Sequence, residues 1–522
     1  MNLYKAIGSI GGLTMVSRVL GLARDILTAK VLGTSHSADA FNVAFWLPNI
    51  FRRLFAEGAF SSGFVPLFSR RLASGGPEDA RQFTNEILAV FMPALLVVTV
   101  VFEIAMYPFL AWVVSGYEAT PGKLELAVTL SRWTFPYLLF ISLASLLSGV
   151  LNSLDRFAVA AFVPALLNIA LIVALLVGPN GNTPEEQIRI ALYMAIAVLI
   201  GGVAQFALAW ATVRRLGVKL HFGRPRITPA VRELVILILP ATAAAGVYQF
   251  SQLFYTFFAS NLGEGALSSL FYADRLNQLP LSIIGTALGV AILPSISRAI
   301  EHRQEDQAAD VQARAFDLAM LLTLPATLAL AVAAQPIIAG VYQRGEFTAE
   351  DTFTISNILA ILVSGLPAYV LVKVLQPAFY ARKDVKTPVY IAMTLLALSV
   401  PANFLLIPHL GIYSLALVTS AQAWINFLAL FAILYVRGHF RMPRWLVSRV
   451  LRQLFAAAAM VAALYGVQIV LADWFAGGTG KQVLALGALV GVGITVYFSI
   501  AWVIGGVDKQ AIASLRRKKV TD

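Results

Sequence analysis

The 522-residue chain contains no cysteine, which excludes disulfides, thiolate metal sites and cysteine nucleophiles. Histidine is nearly as scarce. His36, His221, His302, His409 and His439 are scattered over expected loops without metal-ligand spacing. No nucleophile elbow, Walker loop or paired-aspartate metal motif occurs, and Gly8-Ser9-Ile10-Gly11-Gly12 is too short and wrongly placed for a phosphate-binding turn. Charge is the third shortage: 13% of residues are charged, where a soluble domain carries about 25%.

What the chain has instead is apolar length. The hydrophobic fraction is 59% and the mean hydropathy +0.79. About 20 helical residues cross the roughly 30 Å of a bilayer core. Residues 482–507 form one charge-free run of that kind; others lie between Arg132 and Asp155, Arg156 and Glu185, Arg189 and Arg214, Glu233 and Glu264, and Asp317 and Arg344. The fold class is therefore an all-α polytopic membrane protein. The first apolar stretch follows Lys5 as a signal peptide would, but Arg18 and Arg24 interrupt it and no cleavage site follows. It is expected to be a retained first span.

The net charge of +12 would suit nucleic acid, but its distribution argues for topology. Basic residues crowd alternate loops, at Arg70–Arg81, Arg214–Arg232, Arg298–Arg314, Arg382–Lys386, Arg437–Arg452 and the tail from Lys509. Intervening loops hold little beyond Lys30, Lys123, Arg189, Arg344 and Lys481. This positive-inside pattern places both termini in the cytoplasm and demands an even number of spans; no nucleic-acid partner is expected.

Apolar runs between charge clusters define fourteen segments: 7–31, 38–68, 84–113, 125–151, 157–178, 188–213, 230–260, 265–298, 314–341, 352–380, 387–407, 412–436, 449–472 and 482–506. Pro408, His409 and Gly411 supply the turn that divides 387–436. An internal repeat is visible. Ala38-Asp39, Pro48 and Pro66-Leu67-Phe68-Ser69-Arg70 are echoed by Ala273-Asp274, Pro280 and Pro294-Ser295-Ile296-Ser297-Arg298. Asp155-Arg156 before Pro164 is echoed by Lys383-Asp384 before Pro388. Chance recurrence at helix ends is the alternative. The expected organisation is an N-terminal six-helix lobe (1–220), a C-terminal six-helix lobe (221–440), then two extra helices and a basic tail (441–522), a parallel-repeat plan known among transporters.

The exception to the apolar pattern is a group of arginines within spans. A guanidinium does not shed its charge. Arg18, Arg24, Arg52, Arg53 and Arg275 together represent roughly 12–17 kcal/mol of unfavourable insertion. They are expected to face water or an anion. Residues seven apart on a helix lie about 20° from each other, so Ser17 aligns with Arg24 and Arg18 with Asp25. These stripes read as a hydrated cavity wall or, alternatively, as buried ion pairs with other helices. On the second span, Arg53 and Glu57 are four apart and suited to pairing, whereas Arg52 has no such carboxylate. Asp39 is either a helix N-cap or a group that orients an arginine across the cavity. Pro48 and Gly58 are expected to bend this span. In the second half, Arg275 follows Asp274 near a helix start and Lys373 lies deeper in its segment. Gly285-x-x-x-Gly289 and Gly487-x-x-x-Gly491 read as close helix-packing sites, and Asp155-Arg156 and Arg382-Lys383-Asp384 as loop charges.

Ser17-Arg18-Val19-Leu20-Gly21-Leu22-Ala23-Arg24-Asp25 resembles the N-terminal signature of the MurJ/MviN family of bacterial lipid II flippases, within the multidrug/oligosaccharidyl-lipid/polysaccharide exporter superfamily. The likeness continues through Asp39-Ala40-Phe41, Leu47-Pro48-Asn49, Arg52–Phe60 and Phe64-Val65-Pro66, and in the second half through Tyr272–Leu276 and Leu288–Pro294. The resemblance implies fourteen helices in two lobes, working by alternating access on lipid II, an undecaprenyl diphosphate carrying a disaccharide–pentapeptide. It implies that Arg18, Arg24, Arg52 and Arg275 are the essential cavity cations, with Ser17, Asp25, Asp39, Asn49 and Glu57 around them; Arg53 and Lys373 complete the candidate set. It also implies a groove for the lipid tail on the last two helices, a location in the bacterial inner membrane, and membrane lipids and cell-wall synthesis proteins as further partners. No cofactor is expected; with no ATP site, work would come from an ion gradient, the membrane potential or the substrate gradient. Flipping of another polyprenyl-diphosphate oligosaccharide and cation-coupled multidrug export are the alternatives. A membrane enzyme acting on polyprenyl phosphate lacks its metal or acid/base cluster, and a division scaffold would leave the charges within spans unexplained.

Overall fold

The computed structural model describes residues 3–55 and 59–508. The described chain is mostly helical, and each expected apolar segment falls largely on helix, although turns at 135–136, 333 and 365 divide three of them and α3 runs on through the expected gap after residue 68. Ten described helical stretches are long and apolar enough to cross a membrane. By contacts the chain forms two compact units that divide at Ser268/Ser269, with the short segment Arg344–Phe347 counted in the first. The helix Pro229–Ser260 packs along the helix Ala59–Val113, which places it in the first unit.

The first unit contains α1 (Leu3–Leu32), α2 (His36–Phe55), α3 (Ala59–Val113), α4 (Lys123–Thr134), α5 (Tyr137–Ser153), α6 (Phe157–Val177), α7 (Pro184–Arg215) and α8 (Pro229–Ser260). Gly76, at φ 75° and ψ −172° ahead of Pro77, breaks the helical path inside α3. Its left-handed φ suits glycine, which lacks the Cβ that makes this region costly. Thr183 and Thr228 cap α7 and α8 through their side chains, each followed by proline at the first helical position. Phe51, Phe102 and Phe135 form a mutually packed aromatic cluster, with centroids 4.6–5.6 Å apart, that ties α2 to α3 and to the α4–α5 junction.

The second unit continues from α9 (Ala266–Pro280) through a π-helical turn, Leu281–Gly285, into α10 (Thr286–Glu301). It goes on with α11 (Glu305–Val332), α12 (Ala334–Tyr342), α13 (Ala349–Ser364), α14 (Leu366–Ala381), α15 (Lys386–Leu410), α16 (Tyr413–Val436), α17 (Arg444–Val470), α18 (Ala472–Phe475) and α19 (Thr479–Val503). The turn expected near Pro408 falls at Gly411, with φ 53°. A buried polar clamp fixes α17 to α11 and to the segment after α19. Arg449 Nη1 donates to Asp317 Oδ2 at 2.8 Å and to Asp508 Oδ2 at 3.3 Å, and Gln453 Nε2 donates to Asp317 Oδ1 at 2.9 Å and to the Gly506 carbonyl at 3.0 Å.

The repeat is visible in backbone geometry. Pro66 and Pro294 are 228 residues apart, as are Asp155 and Lys383. Asp155 (φ 58°) and Lys383 (φ 61°) both take the left-handed conformation rare for residues with a Cβ. Around each, the same helix-ending pair of bonds forms: Asp155 N–H to Asn152 O and Arg156 N–H to Leu151 O; Lys383 N–H to Tyr380 O and Asp384 N–H to Phe379 O. Arg303 (φ 56°) ends α10 with the same pair of bonds, Arg303 N–H to Ile300 O and Gln304 N–H to Ala299 O, so the geometry is a helix end that the chain uses more than twice.

The loop charges at the second of these turns are structural. Arg382 pairs with Glu305, while Asp384 accepts from the Thr387 N–H and hydroxyl at the start of α15 and from Arg437 Nη1 at 2.7 Å. The Arg437 guanidinium holds the Asp384 carboxyl down at about 2, from an ordinary 3.8. A depressed carboxylate pKa means that the contribution is fully present above 3.8 and is lost as the pH falls through about 2. Asp384→Ala is therefore expected to lower the unfolding midpoint at pH 7 by an amount equivalent to about 1 kcal/mol or less, since the pair is partly solvated. The gap between wild type and variant should stay constant down to about pH 5 and narrow in more acidic buffer; thermal melts across that range check it, and a gap that widens on acidification would contradict the assignment.

Candidate functional site

The polar residues of the first unit form two distinct assemblies. In the first, Arg24 of α1 is 6% exposed and Asp25 2%. The Arg24 guanidinium donates through Nε and Nη2 to Asp25 Oδ1 (3.0 and 2.6 Å) and through Nη1 to Asn168 Oδ1 on α6 (3.0 Å). Its Cζ lies 5.3 Å from the Phe45 ring centroid, a cation–π distance. Asn168 Nδ2 in turn donates to the Ser17 carbonyl at 3.0 Å. Of the two readings open from the sequence, the buried ion pair describes Arg24 and Asp25, and the pairing is between neighbours rather than along the seven-residue stripes. Arg18 is exposed.

The second assembly centres on Asp39, which is fully buried. Its carboxylate accepts from Lys123 Nζ (2.7 Å), Gly265 N–H (2.9 Å), Ser268 N–H (2.9 Å) and Ser268 Oγ (2.7 Å). Gly265 and Ser268 bracket the start of α9, whose first-turn N–H groups have no partner within their own helix. Asp39 thus caps the start of α9, and among the described residues its cationic partner is Lys123. Lys123 is as buried as its partner and sits 4.3 Å from the Tyr117 ring centroid. Asn42 Nδ2 donates to Ser268 Oγ at 3.0 Å. Four donors on two oxygens saturate the Asp39 carboxylate, so it belongs to the scaffold.

Farther along α2, Arg52 is half-buried and donates from Nε to Asn49 Oδ1 (3.1 Å), while Asn49 Nδ2 donates to the Phe45 carbonyl (2.7 Å). Phe45 therefore touches both arrangements, beneath Arg24 and as the backbone anchor of Asn49. Arg53 is exposed. Glu57, its expected partner, and Gly58 lie outside the described residues.

In the second unit, Arg275 is half-buried on α9, with Cζ 5.9 Å from the Phe271 centroid; Asp274 accepts from Gln278 Nε2. Lys373 on α14 lies against the π-helical turn. A Cβ at Gly285 would stand 3.0 Å from Lys373 Cδ, and one at Gly289 3.8 Å from the Lys373 carbonyl. The expected close packing at Gly285 and Gly289 is present, and Gly285 makes the bed for the lysine stem. Gly487 and Gly491 have nothing within 4 Å of a built Cβ, so that pair is no packing site among the described residues. Three contributors escaped the sequence reading: Lys123, taken for a loop charge; Asn168; and the Asp317–Arg449 clamp. Asn168 had a signal, being the lone amide in the apolar run 157–177.

A protein-family model described as Lipid II flippase MurJ matches residues 28–484. A probable lipid II flippase MurJ of Rhizobium meliloti is 39% identical, the match covering 98% of this chain and 96% of the relative. The lipid II flippase MurJ of Burkholderia cenocepacia is 36% identical over 97% and 98%. Among solved structures, a lipid II flippase MurJ in an inward closed conformation aligns with a TM-score of 0.76 at 25% identity, over 95% of this chain and 98% of the other. An inward-facing MATE multidrug transporter aligns at 0.66 with 14% identity, over 83% and 98%, a likeness of fold alone.

Removing one member of a buried pair leaves a desolvated charge, at a cost of about 3–5 kcal/mol. Lys123→Met is therefore expected to cause a large loss of thermal stability, and Lys123→Met with Asp39→Asn a smaller one. Fluorescence-detected thermal unfolding of the two variants measures this; a Lys123→Met protein as stable as wild type would contradict the pairing.

Proposed function

This chain belongs to the MurJ family of lipid II flippases, and from that premise we propose that it moves lipid II from the cytoplasmic to the periplasmic leaflet by alternating access. The observation that carries the reading is the gathering of Arg18, Arg24, Arg52 and Arg53 on two consecutive helices of an otherwise charge-poor membrane protein. A diphosphate is multiply anionic, and the planar fork of arginine matches its oxygens bidentately. In a low-dielectric surrounding the attraction is far stronger than in water.

The geometry supports different tasks for these side chains. Arg18 and Arg53 are exposed and Arg52 half-buried, so they are the groups an entering diphosphate meets. Arg24 is held by Asp25 and Asn168. An anion of higher charge competes with Asp25 for it, and Asn168 and Phe45 keep the guanidinium oriented during the exchange. Asn49 orients Arg52. By family resemblance Arg275 contributes from the second half, with Lys373 a further cation there; Ser17 and Glu57 are carried over on the same ground. Asp39 acts indirectly, by fixing the Gly265–Ser268 segment.

The alternation of basic and neutral loops supports an inner-membrane location with both termini cytoplasmic. The driving force is assigned to an ion gradient, the membrane potential or the substrate gradient.

Arg24→Ala should abolish complementation of a flippase-depleted strain while the protein still inserts in the membrane. Arg52→Lys retains charge but loses the fork, and should slow flipping by roughly tenfold, the equivalent of one charge-assisted hydrogen bond. Full function in Arg24→Ala would remove this residue from the site. An unimpaired Arg52→Lys would mean that a point charge suffices.

A further inference from the structure

Glu103 on α3 is a partly buried carboxylate that neither polar assembly uses. It lies ten residues before the end of the apolar stretch Gly63–Val113, about 15 Å from that end at the helical rise. Its Oε1 is enclosed by protein and accepts no hydrogen bond among the described residues. The cation whose field reaches it is Arg132 on α4, which packs against α3. Arg132 stands nine residues into the next apolar stretch, Lys123–Ser153, so both charges lie at a similar depth below the α3–α4 connection. The aromatic cluster fixes that level. Phe102 precedes Glu103, Phe135 follows Arg132 by one turn, and the two rings are 5.1 Å apart.

Arg132 is exposed, and so are Glu125 and Thr129 before it. Their four- and three-residue spacing puts all three on one face of α4. Tyr107, one turn from Glu103 towards the same connection, is also exposed. Polar groups thus lead from the connection down to Glu103, and ionisable groups inside a span mark water-filled paths and proton relays. The basic-loop pattern puts this connection on the periplasmic side. The other charges on elements packed against α3 are placed or engaged elsewhere. Lys123 is held by Asp39, Arg52 is turned to Asn49 beside the exposed Arg53, and Glu118 lies in the connection itself. α8 has only Arg232 and Glu233, in its first turn, and α5 has none.

An ionised carboxylate with an oxygen that no donor reaches is poorly solvated, and a bound proton removes that charge. A metal ion needs several ligands, and Glu103 belongs to no such cluster among the described residues. We infer that Glu103 is a proton-binding site reached from the periplasmic side, with Arg132 as its counter-charge. With the proton on, an O–H bond forms at the carboxylate and Arg132 turns to the water of the stripe. With the proton released to that water, carboxylate and guanidinium pair across the α3–α4 seam. The site gives an ion gradient a point of action in the first unit, away from the residues assigned to the headgroup.

The probe is dicyclohexylcarbodiimide, which adds to protonated carboxyls in apolar surroundings and leaves a stable N-acylurea. Full-length protein is labelled in right-side-out and in inverted membrane vesicles, with the two compartments buffered separately. Adduct at Glu103 is counted by peptide mass spectrometry. Labelling should fall by roughly tenfold or more as the periplasmic face is taken from about pH 5 to about pH 9, and should ignore the pH of the other face. Arg132→Gln removes the cation that favours ionisation and should carry labelling upward by about one pH unit, while Arg132→Lys should follow wild type. Absence of adduct at Glu103 across this range would overturn the inference. So would adduct that tracks the cytoplasmic buffer, or an unshifted profile in Arg132→Gln. None of these outcomes depends on lipid II movement, so failure here leaves the proposed function standing.

Discussion

A permanent charge carried into hydrocarbon must find a counter-charge, a ring face or water, and this requirement organises the whole molecule. Three carboxylate–cation pairs meet it inside the helical body: Arg24–Asp25, Lys123–Asp39 and Arg449–Asp317. Each is completed by a neutral partner, respectively Asn168, Ser268 and Gln453. Buried ion pairs are a weak source of net stability, because desolvation offsets most of the attraction. Their value lies in position. With its neutral partner included, each pair couples elements that apolar packing alone would allow to slide, and apolar contacts between membrane helices discriminate poorly among registers when the surrounding lipid is equally apolar.

The pairs differ in how completely they are used. Asp39 takes four donors and has nothing left to offer. The Arg24 guanidinium is shared between a carboxylate, an amide and a ring; such a shared cation can change hands when an anion of greater charge arrives. The arginines that flank it, Arg18, Arg52 and Arg53, are exposed or half-buried. A gradient from exposed to buried guanidinium is what a headgroup needs if it is to be attracted first and desolvated afterwards. The scaffold pairs hold the helices, and in the proposed function the arginines of α1 and α2 meet the headgroup.

Much of this was legible in the sequence because hydrophobic length and charge placement are local signals. The helical segments, the turn at Gly411 and the twofold repeat all follow from short stretches read in order. The echoed positions Asp155 and Lys383 share a left-handed φ, as does Arg303. What escaped is non-local. Lys123 looks like any loop lysine until α9 is seen to begin beside Asp39. The capping of one helix by a residue of another cannot be inferred from spacing along either. Asn168 was marked by its isolation among apolar residues, but its partner is 144 residues away. The Arg24–Asp25 pair was obscured for a different reason. Helical-wheel reasoning assigns neighbours to different faces, and a long flexible arginine can fold back across that angle.

The central claim is that these intramembrane arginines serve the passage of lipid II. It is tested most directly by depleting the protein in cells that have no other flippase, while scoring which leaflet holds lipid II with a probe confined to the periplasm. The account predicts that periplasmic lipid II falls and the cytoplasmic pool accumulates before cell shape fails. Periplasmic lipid II that continues to form at its normal rate would contradict it.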